Sequence, residues 1–146
     1  MKLNRRKREK RGFTLMEILL VMAILIVLGS LVTFSFITIR KNSMEDACRV
    51  QINSFVGTCD QYFNDVGQMP VSLNDLRNQP QSLADPTKWR GPYLKEDVPA
   101  DPWGNQYEIV IQTDQYGNPQ PVITSNGTDG VKGTADDISN IRKSGT

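Results

Sequence analysis

The side chains best suited to binding or reaction fall in two places. Near the C-terminal end, "SNGTDGVKGTADDIS" (125–139) sets Asp129, Asp136 and Asp137 among three glycines. Carboxylate oxygens are hard ligands for a divalent cation such as calcium, and glycines let the backbone curl with φ > 0. The spacing is not that of an EF-hand, which needs acids at alternate positions and a closing glutamate. On spacing alone a solvated surface turn is favoured over a metal site. Near the other end, "KRGFTLMEILLVMAILIVLGSLV" (10–32) contains one acid, Glu17. An acid at bilayer depth costs about 2.5–3.5 kcal/mol on insertion scales, so it calls for a partner.

Other chemistry is thin. The chain has no histidine, which removes Ser-His and Cys-His nucleophiles, His-ligated zinc and the usual general base near neutral pH. An enzyme is therefore the minority reading. A calcium-dependent membrane enzyme would need a cleft lined by paired acids, and nothing in the sequence supplies one. Cys48 and Cys59 stand eleven positions apart. On one helix they share a face but lie roughly 16 Å apart along the axis, which excludes a disulfide between them while the helix is intact. Two free thiols packed as small apolar groups is the favoured reading.

The charge pattern locates the elements. Residues 1–12 carry seven Lys and Arg against Glu9, a leader of +6, so the formal total of +1 leaves −5 for the rest. Basic residues abutting an apolar run fit the positive-inside rule better than a nucleic-acid partner. From Phe13 to about Ile39 the chain is almost free of charge, roughly 40 Å of helix, enough to cross a bilayer core with some tilt. No A-x-A cleavage pattern follows it, which argues against a secretory signal peptide. A plain uncleaved anchor explains the basic tail and the length but leaves Glu17 without a partner. A cut between Gly12 and Phe13 would place a cationic α-amino group one helical turn from Glu17. The same amine on a neighbouring subunit could pair with that carboxylate and set register between packed helices.

The string "RGFTLMEILLVMAIL" resembles the class III signal of type IV pilins and type II secretion pseudopilins. The resemblance implies cleavage after Gly12 by a prepilin peptidase, methylation of the new N-terminal Phe13, and an assembly role for Glu17.

Beyond Lys41 the pattern turns amphipathic. Met44, Cys48, Ile52, Phe55, Cys59, Tyr62, Phe63 and Val66 follow steps of three and four, one buried helical stripe. With no proline before Pro70, one helix is expected from about Phe13 to about Asp65, ending near Gly67. Residues 68–105 read as a mostly irregular excursion. Ser72 can cap a short helix through Asp75 and Arg77, with Leu73 and Leu76 turned inward. "WRGPYL" (89–94) and "DPWGNQY" (101–107) read as turns that pin Trp89, Tyr93, Trp103 and Tyr107 onto a small core, in preference to a carbohydrate-binding platform. Tyr107–Gln112 and Gln120–Thr124 read as two strands of a hairpin turned at "DQYGNP".

These head motifs, with the terminal Gly/Asp loop, resemble the major, G-type pseudopilin of the type II secretion system over Arg11 to about Asn140. The chain departs from that family in having Gly29 and Ser30 but no proline in the apolar helix, and Met69 where a tyrosine is usual. It also lacks a tryptophan after the last loop, where Ile141 stands, and its cysteines are not a family hallmark.

The resemblance implies an α+β, type IV pilin-like fold, with a long N-terminal helix carrying a small head that has a short antiparallel sheet and a calcium loop. Its implied parts are a cytoplasmic leader (1–12), a transmembrane or fibre-core helix (13–39), an amphipathic helix (40–67) and a periplasmic head (68–146). It reverses the preference at the terminal loop: Asp129, Asp136 and Asp137 become calcium ligands, completed by the backbone carbonyls of Asn126 and Val131. It also implies a non-catalytic subunit of a periplasmic fibre that helps drive protein export. The implied partners are other copies of the chain, minor pseudopilins, an inner-membrane assembly platform and the membrane. A type IV pilin or minor pilin for adhesion or DNA uptake is the alternative.

Overall fold

The computed structural model describes residues 12–141, without the side chains of 31–35. The leader expected at 1–11 lies outside the described residues. A single helix, α1 (Leu15–Val66), is followed by 3-10 turns at Leu73–Leu76 and Pro86–Lys88. Strands β1 (Glu108–Thr113), β2 (Pro119–Ser125) and β3 (Ile138–Ser139) complete the order. The chain divides into two compact units between Lys41 and Asn42.

In the first unit, α1 begins on Thr14, whose hydroxyl accepts the Glu17 amide at 3.3 Å while its carbonyl accepts the Glu17 and Ile18 amides at 3.0 and 3.2 Å. Every described side chain of this unit, from Gly12 through Ser30 and from Phe36 through Lys41, is exposed. Among the described residues, no helix is long and apolar enough to cross a membrane. The described apolar side chains fall in two stretches, on either side of residues 31–35.

In the second unit the stripe read from the sequence is the core. Cys48, Ile52, Phe55, Cys59, Tyr62 and Val66 are buried along one side of α1, and Met44 and Phe63 are half-buried at its margin. Neither cysteine is in a disulfide. The helix stops at Gly67, whose φ of 83° suits a residue without a Cβ and whose amide closes on the Phe63 carbonyl at 2.8 Å.

The 3-10 turn at Leu73–Leu76 has a full capping box: Ser72 accepts from Asn74, and Asp75 accepts from the Ser72 amide at 2.9 Å. It delivers Leu73 and Leu76 to the core. The aromatics of the two turn motifs pack as expected. Tyr107 meets Phe55 edge-on at 5.2 Å, and Tyr93 meets Tyr62 at 5.5 Å and Trp89 at 5.9 Å. The Trp89 indole also donates to the Asp75 carbonyl at 3.2 Å. Gly91 is required beneath that ring, because a Cβ there would lie 2.4 Å from it.

The sheet is antiparallel in the order β1-β2-β3, with Val110 opposite Val122 and Thr124 opposite Ser139. The hairpin strands differ from the expected spans by a residue or so at each end. Its turn is held by Asp114, which accepts from the amides of Tyr116 and Asn118 at 2.8 Å. The third strand was not expected. It is two residues long, and Asn140 extends it with a side chain: Oδ1 accepts from the Ile123 amide and Nδ2 donates to the Pro121 carbonyl, both at 2.8 Å. That arrangement suits Pro119 and Pro121, which cannot donate to a neighbouring strand and lie beyond the reach of β3's own backbone pairs.

Candidate functional site

At the start of α1, Gly12, Phe13, Thr14 and Glu17 line one surface hollow. Phe13 is 77% exposed, next to the first helical turn. Thr14-Leu15-Met16-Glu17 is a capping-box sequence, and its Thr14 half is formed. A first-turn acid also meets the positive end of the helix dipole. The Thr14 contact, made by the Glu17 amide and not by its carboxylate, was missed in the sequence, although Thr followed three positions later by Glu is a readable signal.

The terminal loop gives its aspartates specific neighbours. Asp129 Oδ1 accepts from the Val131 amide at 2.8 Å. Asp136 Oδ2 accepts from the Thr128 and Asp129 amides at 2.8 and 3.1 Å. Asp137 Oδ2 accepts from the Gly133 amide at 2.8 Å. The Thr134 hydroxyl, followed by these backbone donors, holds the Asp136 carboxyl below the usual carboxylate range.

Thr134 is the shared neighbour. Its Oγ1 lies 3.3 Å from Asp129 Oδ1, 2.7 Å from Asp136 Oδ1, 3.4 Å from Asp137 Oδ1 and 3.0 Å from the Val131 carbonyl. One hydroxyl carries one proton and cannot serve four acceptors. Sequence reasoning missed Thr134, since a threonine between acids has no distinctive spacing.

Among the described residues, no three Asp, Glu, Cys or His side chains are gathered as a group that could hold a metal ion. The three aspartates converge on a hydroxyl; Asp136 and Asp137 turn their other oxygen to amides, whereas Asp129 uses its Oδ1 for both contacts. The donor chemistry nevertheless fits a hard cation. The oxygens are carboxylate and carbonyl, and four of them lie within 3.4 Å of Thr134 Oγ1; the buried Asn126 Oδ1, which has no hydrogen-bond partner, is not one of these four. The Asn126 side chain is directed elsewhere, its Nδ2 donating to Glu108 Oε1 at 3.4 Å.

The loop is tied to the head at two further places. On one side Lys132 pairs with Glu108 on β1, and that contact leads the groups holding the Glu108 carboxyl below its ordinary value. On the other, buried Ser125 donates to buried Asp101 at 2.5 Å, and Asn105 Nδ2 donates to the Gly127 carbonyl at 3.0 Å. Gly127 has a φ of 64°, and a Cβ there would lie 2.4 Å from the Asp136 carbonyl, so the two ends of the loop meet at a glycine.

Comparison with known proteins gives a consistent picture. The model of the family "Type II secretion system (T2SS), protein G" matches residues 36–144, and that of the "Prokaryotic N-terminal methylation motif" matches residues 7–33. The chain is 35% identical over 138 residues to the type II secretion system core protein G of Aeromonas hydrophila, covering 92% of this chain and 94% of that one. It is 33% identical over 140 residues to its counterpart in Klebsiella michiganensis, covering 92% and 95%. The crystal structure of the major pseudopilin from the type 2 secretion system of enterohaemorrhagic Escherichia coli superposes with a TM-score of 0.59 at 28% identity. That match covers 71% of this chain and 91% of that one.

Proposed function

Because this chain belongs to the type II secretion system protein G family and is a pseudopilin subunit, we propose that it is cut between Gly12 and Phe13 and polymerises through its apolar helix. The methylation motif implies processing as a prepilin. The observation that carries the reading is the unbroken exposure of described apolar side chains from Phe13 to Ser30 and at Phe36, Ile37 and Ile39. Such a surface must be covered, by lipid before assembly and by sister helices afterwards. Residues 13–39 are the proposed inner-membrane span, with the leader cytoplasmic and the head periplasmic. The apolar run of the sequence and the basic residues before it support that orientation.

In this reading Glu17 pairs with the α-amino group of Phe13 on a neighbouring copy, which fixes the axial register of the fibre. Its partners are further copies, minor pseudopilins, the assembly platform and the prepilin peptidase. The chain's work is mechanical, and no catalytic residue is assigned to it. Mass spectrometry of the mature chain should find methylated Phe13 as the first residue. Glu17→Val should keep membrane insertion while fibre yield collapses; normal fibre yield would remove the pairing from the mechanism.

The terminal loop is proposed to take calcium through Asp129, Asp136 and Asp137, with the carbonyls of Asn126 and Val131. A divalent cation would neutralise three clustered carboxylates. To receive it, the aspartates exchange their contacts with Thr134 and the amides for contacts with the ion. A ligand bound only by the folded form adds about 2.7 kcal/mol at a hundredfold excess over its dissociation constant. The detergent-solubilised chain should therefore melt higher in calcium than in chelator, and Asp129→Ala or Asp136→Ala should abolish the difference. Equal melting temperatures for the unmodified chain would end the calcium reading.

A further inference from the structure

The Asn126 carbonyl is oriented through Ser125, which the turn at 101–105 anchors. Ser125 is fully buried and donates its proton to Asp101 Oδ2 at 2.5 Å. The same hydroxyl accepts the Gly127 amide at 3.2 Å. A peptide unit is planar and trans, so fixing the Gly127 N–H fixes the Asn126 carbonyl of that unit, which points the opposite way. Asn105 holds the next unit: its Nδ2 donates to the Gly127 carbonyl at 3.0 Å. Its Oδ1 lies close against Gly130, where a Cβ would stand only 3.1 Å from it. Asp101 in turn is fixed by its own turn, Oδ1 accepting from the amides of Trp103 and Asn105 at 3.0 and 2.8 Å. The Asn126 carbonyl is thus set by its neighbour Ser125, anchored on Asp101, and the Gly127 carbonyl by Asn105, 22 positions upstream.

We propose that Ser125, anchored on Asp101, and Asn105 are positioning residues that select which loop carbonyl is presented to the cation, with Asn126 presented and Gly127 withheld. This rests on the calcium reading above. The Lys132–Glu108 pair is the contrasting tie, because it is exposed, holds the loop's far side and orients no backbone carbonyl.

The test titrates calcium calorimetrically into the full chain in detergent and records melting temperature in chelator. The chains compared are the unmodified one, Asn105→Ala, Ser125→Ala and Lys132→Ala. Groups that orient a metal's ligands from outside the shell usually contribute 10–100-fold to affinity, so Asn105→Ala and Ser125→Ala should weaken calcium binding by about that factor. Lys132→Ala should leave the affinity within about twofold, as expected for an exposed ion pair. A purely structural role would lower the melting temperature in chelator without moving the dissociation constant. Unchanged affinity in Asn105→Ala, with the unmodified chain binding calcium, overturns this proposal alone. If Ser125→Ala fails to fold, Asn105→Ala decides. No binding by the unmodified chain removes the calcium reading and this proposal together.

Discussion

The two halves of α1 share one backbone conformation and opposite surroundings. Over 15–30 and 36–39 the described apolar side chains lie all round the helix, and each is exposed. From Cys48 to Val66 the large apolar side chains other than exposed Val50 follow a single stripe, and the stripe is buried by the head of the same chain. A helix apolar all round cannot be completed by one small domain, whereas a helix apolar on one side can. The second half is therefore finished within the chain, and the described side chains of the first half are not. The contrast explains how one element can both fold a head and build a fibre.

The largest expected effect tests that division directly. Phe55→Ala should cost the head about 3–5 kcal/mol, because it leaves a void against Tyr107 and the core. Leu25→Ala, in the exposed first half, should leave head unfolding within about 0.5 kcal/mol of the parent. Denaturant unfolding of the full chain in detergent, followed by tryptophan fluorescence, measures both. Equal losses would mean that the halves do not differ as described.

A smaller effect of opposite sign should appear on the open side of the second half. Gly57 is exposed within the helix, and a Cβ there would touch nothing within 4 Å. Gly57→Ala should stabilise the head by roughly 0.5–1 kcal/mol, the conformational freedom a helical glycine has to give up. A loss in the same unfolding assay would place that side of α1 against something.

The smallest effect concerns reactivity along the same turns. Burial pushes the Cys59 thiol up to about 12 from its ordinary 9.0. Burial also raises the Cys48 thiol. At pH 8 both should label slowly with maleimide in the native chain and rapidly in denaturant, whereas Val50→Cys, at an exposed site, should label at once. The sign for stability follows from a folded pKa above the unfolded one. The contribution of buried neutral Cys59 is complete below about pH 9 and is lost as pH climbs toward 12. Native labelling of Cys59 as fast as that of Val50→Cys would contradict its burial.

Much of this architecture is written locally. The stripe on α1, its end at Gly67, the Ser72 cap and the hairpin all depend on residues close together in the chain, so spacing and turn chemistry reveal them. The third strand is not local. Two residues have no periodicity, and Ile138–Ser139 is a strand only because β2 offers backbone groups to pair with. The sites divide the same way. Three aspartates within nine positions are visible as a cluster, and Glu17 stands out against apolar neighbours. Thr134 as their common neighbour, and Asp101 and Asn105 as anchors of the loop, depend on contacts that spacing does not encode.

The sequence by itself determined the helix, its change from all-round to one-sided apolarity, the basic leader before the apolar run and the acidic residues available to a cation. These follow from side-chain transfer energies and backbone preferences, which each residue carries into any context. Tertiary structure alone decided which oxygens meet. It gave one side of a proline-bearing strand to an asparagine side chain, centred three carboxylates on a threonine, and wired the loop's first carbonyls to a distant turn. The physical reason is that a hydrogen bond is set by ångström-scale distance and direction between groups, and those are settled only when the chain closes on itself.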